Sequence, residues 1–395
     1  MSDIRIGVVG AGARCRLALA SEDCGGRVVV AADPSPVGAQ RVRERLGERV
    51  AHVNDVRALI NYGVDAAFIT SPDHTHAEVS IELLRAGIPI YLEKPLAITQ
   101  ADADAILQTA YESGTRLYVG HNMRHMHVVR LMHEIIQRGD IGEVKAIWTR
   151  HFVGHGGDYY FKDWHATRAG GTGLLLQKGA HDIDVMHWLA GSVTRQVTAM
   201  GDLMVYGDIT DRRDNSHELM GQWFSLDNYP PAAQRGLNPV IDVEDISMML
   251  MRMESGVLAS YQQCHFTPDY WRNYTVIGTE GRIENFGDGE GGVVKLWNTR
   301  SDYRADADAE FPIKGDAVGH GDADALTVAE FMRFITDGGP TDTNPLAARE
   351  AVAAGIAATQ SLREGSRPVD IAPVAQPVAA YFRAHQEGAA RVCGC

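Results

Sequence analysis

The sequence predicts an α/β protein of two parts: a parallel sheet covered on both faces, then an α/β domain with a large open, mainly antiparallel sheet. Three observations carry this expectation. The chain has 395 residues, more than one core of roughly 150 residues organises. Short, continuously apolar runs alternate with amphipathic stretches through the first third, the pattern of parallel strands buried on both faces. After residue 122 the runs lengthen and alternate apolar with polar residues, as strands with one covered face do.

In chain order, strands are expected at Ile4–Val9, Arg27–Ala32, Ala66–Ile69, Ile88–Tyr91 and Leu117–Val119. A helix over Val128–Gly139 follows, then alternating strands at Glu143–Trp148, Ser247–Met253 and Val257–Tyr261. The polar stretch Asp211–Pro239, with Pro230-Pro231 inside it, is too long for an ordinary connection and reads as an excursion or lid. Asp324–Ile335 and Ala347–Leu362 read as amphipathic helices, and a proline-punctuated segment runs from Pro368 to Pro377. The expected boundaries are 1–122, 123–371 and a C-terminal tail 372–395.

Composition narrows the function. Lys and Arg number 37 against 51 Asp and Glu, a net charge of −14, which argues against nucleic acid and anionic lipid as partners. No apolar run approaches the roughly 20 residues of a membrane span, and the N-terminus enters a strand pattern directly, so a cytoplasmic location is expected. The five cysteines are scattered and lack disulfide or zinc spacing. Of 16 histidines, many crowd between His121 and His187, yet only His121/His125 and the series His181, Asp184, His187 have helical spacing. With no HExxH present, no metal centre is expected.

Gly10-Ala11-Gly12 directly follows the first strand, and Asp33 ends the second. Together they form most of a dinucleotide fingerprint: the glycines allow a tight turn and close approach of a pyrophosphate, and the carboxylate accepts from ribose hydroxyls. The third glycine is replaced by Cys15. Asp33 favours NAD over NADP because it repels a 2′-phosphate, while Arg41 and Arg43 lie close enough in sequence to leave NADP open. An Asx turn before Pro34 is the purely conformational alternative for Asp33.

Glu93-Lys94-Pro95 follows an apolar strand and falls at the carboxyl edge of the expected parallel sheet, the usual ligand crevice. The set Gly10-Ala11-Gly12, Asp33, Thr70-Ser71-Pro72-Asp73-His74-Thr75-His76, Glu93-Lys94-Pro95, Gly120-His121-Asn122 and Gly179-Ala180-His181-Asp182-Ile183-Asp184 resembles the glucose-fructose oxidoreductase/inositol dehydrogenase (Gfo/Idh/MocA) family. Gly278-Thr279-Glu280-Gly281 adds to the likeness, which runs from residue 3 to 370.

The resemblance implies an N-terminal Rossmann dinucleotide-binding domain, a C-terminal domain whose open sheet builds dimers or tetramers, and hydride exchange between NAD and a carbohydrate hydroxyl. It places Gly10, Gly12, Ala13, Arg14, Asp33, Ser71, Asp73, His76, Glu93, Lys94 and Asn122 around the cofactor. It makes Lys94 the group that orients and acidifies the reacting hydroxyl and His181 the acid/base. Independently, oxidising a carbinol needs a proton acceptor near neutral pKa, and imidazole is the usual choice. A satisfied core histidine is the bland alternative for His181.

One departure stands out. Polyol dehydrogenases of the family place Asp one helical turn before this histidine, whereas here Gln177, which cannot take a proton, is followed by Lys178. Lys178, Asp182 or Asp184 would have to compensate. Two glycine-flanked histidines, His155 and His320, suggest imidazoles on loops. The latter resembles a loop of the family's NAD-dependent glycosidases, which oxidise a ring hydroxyl transiently, eliminate the aglycone, add water and return the hydride.

Tyr159-Tyr160-Phe161-Lys162-Asp163-Trp164-His165-Ala166-Thr167-Arg168 lies between them. Aromatic faces at Tyr160 and Trp164 suit a pyranose, Lys162 and Arg168 would meet an anionic substituent, and Tyr159 would serve as base in an elimination. Asp269–Tyr274 would contribute either to the substrate pocket or to an oligomer interface. The expected function is NAD-dependent hydride exchange with a sugar hydroxyl. The alternatives are a redox-neutral glycosidase, on an anionic sugar among others, and an NAD(H)-sensing binding protein.

Overall fold

The computed structural model describes residues 3–315 and 321–387. Six strands, β1 (Ile4–Val9), β2 (Gly26–Ala32), β3 (Ala51–Val53), β4 (Ala66–Ile69), β5 (Ile90–Leu92) and β6 (Leu117–Val119), form an all-parallel sheet in the order β3-β2-β1-β4-β5-β6. The chain reverses direction along the sheet between β1 and β4, so the loops after β1, β2, β4 and β5 converge at the carboxyl edge. β3 escaped the sequence reading because it is a three-residue edge strand without a continuous apolar run.

The second sheet has nine strands: β7 (Val144–Val153), β8 (Thr194–Asp202), β9 (Ile246–Met253), β10 (Leu258–Cys264), β11 (Tyr270–Gly278), β12 (Arg282–Phe286), β13 (Val293–Trp297), β14 (Ala309–Pro312) and β15 (Val369–Asp370). Their order is β14-β13-β12-β11-β7-β10-β9-β8-β15, antiparallel throughout except where β10 runs parallel to β7. Alternation decides which face is covered: Met249, Met251 and Met253 of β9 enter the core, while Met248 and Leu250 point outward.

The helix Pro345–Arg363 joins the two halves. Its alanines Ala351, Ala354 and Ala358 pack in the core of the second sheet, and Leu346, Ala348 and Val352 pack in that of the first. Small side chains let both layers approach. At Gly355 an added Cβ would lie 2.7 Å from the Leu175 carbonyl oxygen, so only glycine lets this helix seat against the Leu174–Gln177 turn. That contact sets where Gln177 and Lys178 stand.

Two later helices return to the first sheet. In Ala323–Asp337, Phe331 meets the rings of Phe68, Tyr91 and Tyr118. In Gln376–Gln386, Val378, Ala379 and Phe382 are buried in the first core, and Gln386 donates to the Leu117 carbonyl. The excursion at 211–239 is a series of 3-10 turns rather than a helix or strand. It is pinned through Asp158, whose carboxylate accepts from Asn228 (2.6 Å) and Gln234 (3.1 Å) and whose carbonyl accepts from the Trp223 indole (2.9 Å).

Candidate active site

The loop after β1 is built to admit something close to the backbone. Gly10 sits at φ +92°, and a Cβ there would come within 2.6 Å of the Ser71 backbone, so no other residue fits without displacing the β4 loop. Asp33 accepts from the Ala11 N–H (2.8 Å) through one oxygen and from the Ser35 N–H (2.9 Å) through the other. The Asx turn is therefore real, and the same carboxylate braces the glycine loop. Cys15 is fully buried, and the helix that opens there, Cys15–Cys24, is 3-10 rather than α.

Arg14 leaves this turn to bridge Glu93 (2.8 Å) and Asp324 (2.7 Å), and Asn122 donates to the same Asp324 (2.6 Å). Loops after β1, β5 and β6 are thereby tied to the Ala323–Asp337 helix. His76 holds two more loops together, its ring nitrogens facing the carbonyls of Pro95 (2.8 Å) and Ser71 (3.0 Å).

Lys94 follows β5 and points its ammonium at the Gln177 carbonyl (3.1 Å). Burial lowers its pKa to about 8, against the opposing pull of Asp73 and with the help of Lys178. His181, on the helix Gly179–Ala190, is 3% exposed and stands edge-on to His121 with ring centres 6.1 Å apart. Lys94 and His181 line a single cleft of about 2110 Å³.

The same cleft is lined by Gly10, Gly12, Ala13, Arg14, Asp33, Ser71, Asp73, His76, Glu93, Asn122, His155, Tyr159, Tyr160, Trp164 and Gln177. Two expected substrate contacts do not reach it. Lys162 is buried against Asp158 (3.2 Å), and Arg168 is spent on Asp242 and Glu244. A charged side chain next to a carboxylate of its own fold pairs with it rather than staying free for a ligand, which corrects the expectation for both. His320 lies outside the described residues.

Other lining residues were not singled out from sequence. Asn215 and Phe224 come from the excursion, and Phe224 stacks on Tyr159 (6.1 Å, 20°). Of the expected Asp269–Tyr274 stretch, Tyr270 and Trp271 line the cleft wall. Pairing of β11 with β7 sets Arg272 opposite His151, a long-range register that spacing along the chain does not reveal.

Behind the wall lies a buried ionic cluster. Asp182 accepts from His151 (2.9 Å), Tyr261 (2.9 Å) and Tyr274 (2.5 Å) and pairs with Arg272 (3.3 Å). Burial alone would raise its pKa, but His151 and Arg272 hold it well below the carboxylate range. Asp184 takes a bidentate contact from Arg124 (2.7 Å each). Neither carboxylate is available as a substitute for the missing acid at position 177. Among the described residues, His125, Glu330 and Asp342 come close enough for a metal, but Arg130 already donates to both His125 and Asp342.

A dinucleotide fits the first half of the cleft. Asp73 Oδ2 and Asn122 Oδ1 are buried oxygens on its wall without a hydrogen-bond partner among the described residues, and the glycine loop leaves Gly12 nearly free of neighbours. Residues 4–121 match the oxidoreductase family with NAD-binding Rossmann fold, and residues 129–284 match the GFO/IDH/MocA C-terminal domain. Inositol 2-dehydrogenase 1 of Saccharopolyspora erythraea is 30% identical over 200 residues, covering 49% of this chain and 57% of that protein. The 2,7-anhydro-N-acetylneuraminate hydratase of Mediterraneibacter gnavus is 27% identical over 224 residues, covering 53% and 58%. The matches thus span little more than half the length of these relatives. A levoglucosan dehydrogenase solved with NADH and levoglucosan shares the fold, with a TM-score of 0.75 at 20% identity over 93% of this chain and 99% of that one.

Proposed function

Because this chain belongs to the GFO/IDH/MocA oxidoreductase family, we propose that it is an NAD-dependent enzyme oxidising a ring hydroxyl of a carbohydrate. The observation that supports this most is the joint presence of Lys94 and His181 in the cleft that also holds the glycine loop and Asp33. Bound NAD would supply the hydride acceptor. Gly10, Gly12 and Asp33 would hold it by backbone approach and ribose hydrogen bonds.

The Lys94 ammonium, aimed by the Gln177 carbonyl, donates to the substrate oxygen and stabilises the negative charge that develops there. The His181 ring takes the hydroxyl proton. Tyr159, Tyr160 and Trp164 offer aromatic faces to the apolar side of a sugar ring.

One observation favours a redox-neutral variant, in which an aglycone is eliminated and the hydride returned. His155, on its glycine loop, lines the cleft and meets the Tyr159 ring at 5.9 Å. The protein should be mixed with NAD and a panel of myo-inositol, levoglucosan and chromogenic glycosides, with NADH absorbance and aglycone release followed together. NADH accumulation without cleavage is expected. Release without lasting NADH would move the assignment to the redox-neutral variant, and silence in both channels would reject the carbohydrate reading.

The open face of the second sheet supports a homo-oligomer. Trp148 (56% exposed), Met200 (66%) and Leu250 (64%) share that surface, and exposed apolar side chains grouped on one face mark a contact site. Sedimentation velocity should give a mass of at least two chains, reduced in Leu250→Arg. A monomeric wild-type protein would contradict this.

A further inference from the structure

Tyr270 opens β11 on the wall of the cleft, and its oxygen is held by two cations. Lys178 Nζ donates to it at 3.1 Å and Arg272 at 3.3 Å, while the His155 ring lies parallel to the Tyr270 ring at 6.1 Å. Both donors are fixed from behind. Lys178 also sits over the Tyr160 ring, and Arg272 spans to Asp182 (3.3 Å) and Asp288 (3.5 Å). Lys178 directly follows Gln177, whose carbonyl aims Lys94. The reacting ammonium and the Tyr270 oxygen are therefore positioned by consecutive residues.

Donors on two sides leave a phenol oxygen one direction, into the cleft. Two cations at these distances favour the phenolate, which would present a lone pair there. The groups around it are Lys178 and Arg272 on the cationic side, Asp182 and Asp288 bound to Arg272, and the neighbouring rings of His151, His155 and Tyr160. Burial pushes the Tyr270 pKa up, but Arg272 and Lys178 outweigh it and the net shift is downward. Meanwhile Lys162, Arg168, Lys178 and Arg272 are all engaged by groups of the fold. Among the described residues, these four leave no spare cation beside Tyr270 for a carboxylate.

We propose that Tyr270 sets the charge of the substrate: its oxygen, held by Lys178 and Arg272, accepts a hydroxyl of a neutral carbohydrate and turns away a carboxylate-bearing one. This deepens the oxidoreductase reading above and rests on it for the substrate, but not for the state of the tyrosine. It also opposes the expectation of an anionic sugar drawn from Lys162 and Arg168.

The test begins without substrate. The chain has 13 tyrosines, and a spectrophotometric titration of tyrosinate absorbance should show one ionising ahead of the rest. That step should vanish in Tyr270→Phe and move to higher pH in Lys178→Met. An early step that is absent from the wild type, or that persists in Tyr270→Phe, would overturn the proposal.

NADH formation is then compared within matched pairs, methyl glucoside against methyl glucuronide and methyl galactoside against methyl galacturonide. The wild type should favour the neutral member by about tenfold or more, and Tyr270→Phe should narrow the gap. Equal use of both members by the wild type would overturn the proposal. If no pair yields NADH, the proposed function loses its support, and the titration by itself decides whether Tyr270 is the polarised oxygen described.

Discussion

Replacement of Lys94 by alanine is expected to lower kcat by about a thousandfold or more while NAD affinity stays nearly unchanged. The reason is positional. Lys94 is aimed by the Gln177 carbonyl into the part of the cleft shared with His181, whereas the glycine loop and Asp33 are braced by Ala11, Ser35 and Ala32 without it. A cation that stabilises charge only as the hydroxyl oxygen becomes alkoxide-like contributes to the transition state more than to cofactor binding. The pH profile gives an independent reading. Burial has brought the Lys94 ammonium down to about 8, so kcat/KM should fall as pH rises through about 8 and the cation is lost. Lys94→Arg, whose guanidinium keeps its charge, should move that limb to higher pH even at reduced activity. Steady-state NADH kinetics and cofactor fluorescence titration check both statements. Near-wild-type turnover in Lys94→Ala, or an alkaline limb unmoved in Lys94→Arg, would remove Lys94 from the chemistry.

The first sheet could be read from the chain because each strand is a short apolar run that packs the same way wherever it is placed: Ile4–Val9 and Ala66–Ile69 came out with the bounds expected. Lys94 and the glycine loop were readable for a related reason. A parallel sheet puts the ends of its strands at one edge, so their sequence positions already imply proximity. Tyr270 could be marked within Asp269–Tyr274 but its surroundings could not, since its neighbours Lys178 and His155 come from other elements, and only the pairing of β11 with β7 and the seating of the 345–363 helix bring them together. Lys162 and Arg168 failed as substrate contacts for the complementary reason. Sequence shows that a charge is present, but not whether Asp158 or Glu244 will reach it first. Of the crowd of histidines between 121 and 187, only His181 and His155 had a role assigned from sequence, and the structure turns three of the others into a thermodynamic liability.

His121, His151 and His187, joined by His265 from the end of β10, are almost fully buried. Burial depresses the pKa of each, to about 3 for His151 and His187, and outweighs the carboxylates Asp182 and Asp184 that pull the other way at the first three. In the unfolded chain these rings take a proton near pH 6.5. Below that pH the unfolded state binds more protons than the folded one, so stability falls as pH falls, until the folded rings protonate as well. A ring that stays neutral contributes about 1.4 kcal/mol per pH unit in that window, so His151 and His187 together contribute about 3 kcal/mol per unit, and His121 and His265 add in the same direction. A loss of that size over one to two units rivals the whole stability of an ordinary domain. The carboxylates do not produce the same effect there. Asp182 and Asp184 have depressed values, so their contribution is present above the usual carboxylate range and is lost only as pH falls through and below it. Denaturant unfolding at a series of pH values should therefore show a steep drop in the midpoint between about pH 6 and pH 4.5. His265 isolates the cause, because neither ring nitrogen has a hydrogen-bond partner among the described residues and its ring packs on Tyr160 and Phe161. His265→Leu should fold and reduce the slope, since one proton-linked site is gone. A midpoint that stays level from pH 7 to pH 5, or a His265→Leu slope equal to that of the wild type, would mean that these rings gain protons in the folded protein.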